Sequence, residues 1–212
     1  EKAEEVYRQL RMMKKVFEHN PVLVRDNFAH TNKALKYLKD LLKIKKDIKR
    51  IEVYDISNIG GKNAVGSMVV FEDGGLKKSD YRQFKIRSEK NNVIIDVGVK
   101  IINKPNDVGM IKEVLIRRLK HTEWLFPDLI IVDGGKPQLS SALSVVNEKS
   151  IKVSSFSKTK DNETFFMKDK IVEEKNIPPP LLFLLQMMRD EAHRFAITQH
   201  RKLRKKSLLE RV

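Results

Sequence analysis

The chain has 212 residues, a formal net charge of +15 and no cysteine. The absence of cysteine excludes disulfides, thiolate catalysis, zinc–thiolate sites and iron–sulfur clusters within it. The basic excess predicts a polyanionic partner, nucleic acid before membrane, because no apolar stretch approaches the length of a span.

The balance of 33% charged and 41% hydrophobic residues is that of a soluble globular domain, or one with a helical appendage. Glu1 opens the chain without methionine, which reads as a processed product or an excised fragment of a longer protein. Nothing resembles a signal peptide, so a cytoplasmic setting is expected.

Val6, Leu10, Met13 and Phe17 recur at helical spacing until Asn20-Pro21 breaks the run. A second helix is predicted after Asn32, a good N-cap, with Leu35, Leu38, Leu41/Leu42 and Ile44/Ile48 along one side. These make residues 1–48 an N-terminal helical segment or linker. Their apolar stripe suits docking on a core or recruiting a partner helix.

From Arg50 the period changes. Residues 51–57 read as a strand that delivers Asp55, with Ser57-Asn58-Ile59-Gly60-Gly61 as the glycine turn beyond it. Residues 64–72 make a second strand, and Asp73-Gly74-Gly75 a hairpin turn into a third over 76–86. Residues 88–103 look strand-like and suit an inserted hairpin. A helix is predicted over 107–120, with Met110/Ile111, Val114/Leu115 and Leu119 on one side. Leu129–Val132 is then wholly apolar and ends in Asp133-Gly134-Gly135-Lys136. Such a run reads as a strand buried on both faces, and a carboxylate at its carboxyl end faces the crevice where open α/β sheets bind ligands. A helix from Pro137 through Val146, strands at 151–156 and 164–167, and a helix from near Leu181 to about Lys206 complete the chain. This mixed α/β order fits a ribonuclease H-like sheet flanked by helices over 49–207, with a tail at 208–212.

Two strand-delivered aspartates in a basic protein suggest a metal that works on phosphate. Mg²⁺ and Mn²⁺ prefer oxygen ligands, and one or two aspartates with water and phosphate hold them. Asp55 and Asp133 are the predicted pair, and Asp107 opens a helix that brings it in from the side. On the closing helix, His193 lies at the edge of the apolar face with Asp190 one turn back to orient it, placed to ligate metal or carry a proton. The bland alternatives are a turn aspartate, a helix cap and a boundary histidine. Lys136 and Arg189 are candidates to steady a phosphate. Arg201, Lys202, Arg204, Lys205 and Lys206 form a cationic tail suited to the DNA backbone.

Four stretches in order resemble the C-terminal half of the UvrC family, the incision subunit of bacterial nucleotide excision repair. They are residues 50–58 (RIEVYDISN), 67–74 (SMVVFEDG), 133–136 (DGGK) and 189–196 (RDEAHRFA). The resemblance spans roughly residues 32–207 and implies an endonuclease domain that makes the 5′ incision beside a lesion in double-stranded DNA, with the UvrB helicase as partner. It puts the family's essential residues on Asp55, Asp107, Asp133 and His193. This chain departs from the pattern at Asn106-Asp107, where paired aspartates are usual, at Lys136-Pro137, and in a longer stretch between Ile86 and Asn106. The competing expectation is a nuclease-fold module that binds DNA or a partner without cutting.

Overall fold

The apolar run predicted as a doubly buried strand is the middle of the sheet. In the computed structural model, which describes residues 21–59, 63–86, 107–146, 151–159 and 162–209, it forms β5 (Leu129–Asp133). Parallel neighbours flank it, β1 (Arg50–Ile59) and β6 (Lys152–Lys158). Beyond β1 lies β2 (Asn63–Glu72), antiparallel over its whole length, and then β3 (Gly75–Leu76) and β4 (Arg82–Lys85), both on β2's outer edge. On the other side β6 continues into antiparallel β7 (Glu163–Met167) and β8 (Ile171–Glu173). The predicted opening helix at Val6–Phe17, the Gly60-Gly61 turn and the 88–103 segment lie outside the described residues.

Strand periodicity splits the core in two. Ile51, Val53, Leu129, Ile131 and Phe156 face helices α1 (Pro21–Leu41) and α4 (Pro179–Leu209), meeting Ala34, Leu38, Leu185, Met188 and Ala192. Tyr54, Val70, Ile130 and Val132 face α2 (Asp107–Lys120) and α3 (Lys136–Val146), meeting Ile111, Val114, Leu115 and Ala142. Helix α2 sits close because Gly66 has no side chain: a Cβ there would lie 2.5 Å from Val114 Cγ2.

Three expectations need correction. Helix α1 starts at Pro21, not after Asn32, because proline is well tolerated in a first turn. It stops at Leu41, and Ile44 and Ile48 are buried from the loop beyond. The third strand is broken into β3 and β4 by a 3₁₀ turn at Lys78–Asp80. Arg50 holds that turn, donating to Asp80 at 2.7 Å and to Glu72 at 2.8 Å. Strand β8 went unread because three residues carry too little periodicity.

Strand β1 also carries a charge on its buried face. Glu52 is 0% exposed, as is Arg118 of α2. Arg118 donates to Glu52 through Nε at 3.1 Å and Nη2 at 2.8 Å, and to the carbonyls of His121 and Leu125. The Tyr54 hydroxyl donates to Glu52 Oε2 at 2.7 Å. A buried pair gains little over apolar packing, but removing one member strands the other. Arg118→Met is therefore expected to lower stability by about 3–5 kcal/mol. The double variant Glu52→Gln/Arg118→Met should recover part of that loss, as read by urea denaturation.

Candidate active site

Asp128 fixes where the two central strands begin. Its Oδ2 accepts the backbone N–H groups of Lys49 at 2.8 Å and Arg50 at 3.0 Å. From this clamp the strands run in register, Ile51 beside Leu129 through Tyr54 beside Val132. The next residues on each strand are Asp55 and Asp133. Both lie on the α4 face, because they follow the alternation of Ile51, Val53, Leu129 and Ile131.

Asp55 is not at the end of its strand, as its glycine turn had suggested. Strand β1 continues to Ile59, since β2 pairs with all of it, Asp55 lying opposite Ser67. What ends there is the β1–β5 ladder. Asp55 sits just past the last β1–β5 pair and is only 5% exposed.

The two carboxylates repel. Burial, the charge of Asp55 and a hydrogen bond to Asp55 push the Asp133 carboxyl up to about 6, with Arg189 and His193 pulling the other way. The loop after Asp133 is tightly built. Gly134 has φ +134°, and a Cβ there would lie 2.7 Å from Gln138 Cγ. Its N–H donates to the Phe156 carbonyl, and the Gly135 N–H to Gln138 Oε1 at 3.1 Å. Lys136 begins α3 and is exposed.

His193 is exposed on α4, near enough for its charge to act on Asp133. The residues around it are anchored. Tyr81, just past the 3₁₀ turn, donates to Glu191 at 3.0 Å and packs edge-on against Phe195 at 5.1 Å. Asp190 does not orient His193. Its Oδ1 accepts from Arg189 Nε at 3.1 Å and Nη2 at 2.9 Å.

Asp107 is the first residue of α2 and exposed. The chain returns from α2 to the amino end of β5, so the start of α2 lies toward β5's carboxyl end. Ser141 ties that first turn to α3 by donating to the Val108 carbonyl at 2.6 Å. The structure sets Asp55 against Asp133 with His193 within electrostatic reach, and among the described residues no group of three or more His, Asp and Glu side chains is gathered to hold a metal ion. The cations from Arg201 to Lys206 fall on the last turns of α4, and their side chains lie outside the described ones.

Sequence reasoning passed over Glu52, Asp128 and Glu163. For Glu52 the signal was present, a carboxylate inside an apolar strand, which needs a buried partner.

A mixed sheet with aspartates side by side on adjacent parallel strands, and a closing helix packed over them, is the ribonuclease H-like nuclease architecture. The chain matches the family described as the UvrC RNAse H endonuclease domain over residues 39–197, and it belongs to that family. It is similar to the UvrABC system protein C of Bdellovibrio bacteriovorus, 40% identical over 195 residues, covering 84% of this chain and 29% of that protein. The UvrABC system protein C of Caldicellulosiruptor saccharolyticus is 39% identical over 185 residues, covering 84% and 29%. The chain thus spans about three-tenths of these relatives. Among solved structures, human ENDOV is 13% identical, with a TM-score of 0.36 over 60% of this chain and 59% of that one. Among the described residues no helix is long and apolar enough to cross a membrane.

If the pair is held together against its own repulsion, removing one charge should stabilise the protein. Asp55→Asn is expected to raise the thermal midpoint in EDTA by about 2–4 °C, the equivalent of roughly 1 kcal/mol in a chain of this size. Differential scanning fluorimetry reads this directly, and a lowered midpoint would count against a repelling pair.

Proposed function

We propose that this chain is the metal-dependent nuclease centre that makes the 5′ incision next to lesions in nucleotide excision repair. Its substrate is damaged double-stranded DNA, its partner the UvrB helicase, and its setting the cytoplasm. Membership of the UvrC endonuclease domain family supports this reading, and the observation that carries it is the adjacency of Asp55 and Asp133 at the crevice.

The donor set fits Mg²⁺ or Mn²⁺. It offers carboxylate oxygens, which hard divalent ions prefer, and two adjacent acids whose mutual repulsion a cation would relieve. Asp55 and Asp133 would hold the ion, with His193 as a further ligand or proton carrier and Asp107 as a ligand or a base acting beside it. When bound, the ion supplies an activated water and neutralises charge on the phosphate.

The protein's own groups do the rest. Burial of Asp55 between β2 and β5 fixes its carboxylate and limits water around it. His193, exposed on α4 within electrostatic reach of Asp133, would take a proton from the attacking water or give one to the departing 3′ oxygen. Lys136 at the start of α3 and Arg189 on α4 would meet the flanking phosphates, positioning the strand without reading its sequence.

A nicking assay on lesion-containing duplex, with the full-length parent and its partner, tests this. Cutting should need Mg²⁺ or Mn²⁺ and stop in EDTA. Asp55→Ala or Asp133→Ala should abolish the 5′ incision with the fold retained, and the parent's thermal midpoint should rise with added Mn²⁺ while the variants' should not. Normal incision by either variant would end the assignment.

The cationic end of α4 makes a separate prediction. Replacing Arg204, Lys205 and Lys206 by alanine should weaken duplex binding and flatten the dependence of log affinity on log salt by about one unit per lost phosphate contact. Equal slopes would place the backbone contacts elsewhere.

A further inference from the structure

We propose that Glu163 is a positioning residue for the nuclease site, holding Arg189 so that its guanidinium fork takes a backbone phosphate of the strand being cut in place of Asp190. The proposal rests on the nuclease reading above and adds a residue that the reading does not use.

Glu163 opens β7 and is only 4% exposed. Because β7 runs antiparallel to β6, its first residue lies at the carboxyl end of β6, the same end of the sheet as Asp133. The carboxylate is held on both oxygens, Oε2 accepting from Gln186 Nε2 at 2.8 Å and Oε1 from Arg189 Nη1 at 2.7 Å. Its backbone N–H donates to Glu174 Oε2 at 2.9 Å, so its main chain is fixed as well.

Arg189 is thereby laid over the Phe156 ring, 5.4 Å from its centre, and Phe156 is the register partner of Asp133. The two acceptors of Arg189 are unequal. The Glu163 side chain is 6% exposed, whereas that of Asp190 is 70% exposed. A buried carboxylate with an arginine partner is costly to part. A solvent-exposed ion pair is worth about 0–1 kcal/mol and is readily exchanged.

Asp190 engages the Nε–Nη2 edge, the edge that guanidinium groups present to phosphate in forked pairs. Its Oδ1 therefore marks where an anionic oxygen is accepted. When DNA enters the crevice, Nη1 stays on Glu163 and the fork passes from Asp190 to a phosphate oxygen. Without Glu163, Arg189 would keep its charge but lose its fixed direction.

The test is duplex binding by the full-length parent in EDTA, where nothing is cut, followed by incision kinetics. Arg189→Ala should lower the salt slope by about one unit. Glu163→Gln, which keeps the size but not the charge, should lower it similarly, and the double variant should fall no further than Arg189→Ala alone. Asp190→Asn should leave the slope intact and tighten binding by removing a competing anion. In incision, Glu163→Gln should reduce kcat by about 10- to 100-fold, the scale expected of a misdirected positioning group. Additive slope losses, or a parental slope in Glu163→Gln, would overturn the proposal. Should Glu163→Gln fail to fold, Glu163→Asp, one methylene too short to hold both donors, gives the same comparison. Normal cutting by Asp55→Ala would instead remove the nuclease reading, a separate result, since the slopes report the phosphate contact directly.

Discussion

Everything in the site depends on a hydrogen-bonded clamp at the far end of the sheet. Asp128 accepts two successive N–H groups at the start of β1, and its own N–H donates to the Arg50 carbonyl at 2.8 Å. Parallel strands tolerate no half-measures in register, because a slip of one residue exchanges faces. With the start fixed, equal counts of residues carry both strands to an aspartate on the same face. The geometry of the aspartate pair is thus a matter of counting from a clamp, and the doubly buried apolar run between makes any other count unfavourable.

The charge distribution divides labour between arginine and lysine. Arg50, Arg118, Arg189 and Arg194 are bound to internal acids, Glu72, Glu52, Glu163 and Glu191 in turn. Guanidinium groups suit this because they bond in several directions at once and shed water more easily than an ammonium. Much of the net charge of +15 is then left to lysines at the surface, where a long flexible cation can follow a phosphate backbone.

Much of this was legible from residue order. Leu129–Asp133 announced itself as a central strand because an apolar run ending in Asp-Gly-Gly has few other places in a fold. The pairing of Asp55 with Asp133 followed from two such signals. What escaped was whatever depends on distant partners. The break between β3 and β4 is invisible locally, since it is imposed by Arg50 from another strand and Tyr81's bond to α4. The expected Asp190–His193 contact failed because helical spacing makes neighbours of both, but an adjacent arginine competes for the same carboxylate and wins. Glu163 reads in isolation as an ordinary polar residue before a short strand; only its burial against α4 gives it meaning.

The sheet's two rims have a consequence for the protein in a crowded cell. At one rim sits β3, two residues long, with the four-residue β4 displaced from it by the 3₁₀ turn; at the other sits β8, of three. Unpaired strand rims are templates on which foreign chains add and fibrils begin. Among the described residues neither rim offers a long straight run of free N–H and C=O groups. The turn that seats Tyr81 against the helix carrying His193 therefore also blunts one rim, so a single irregularity both braces the candidate site and resists aggregation.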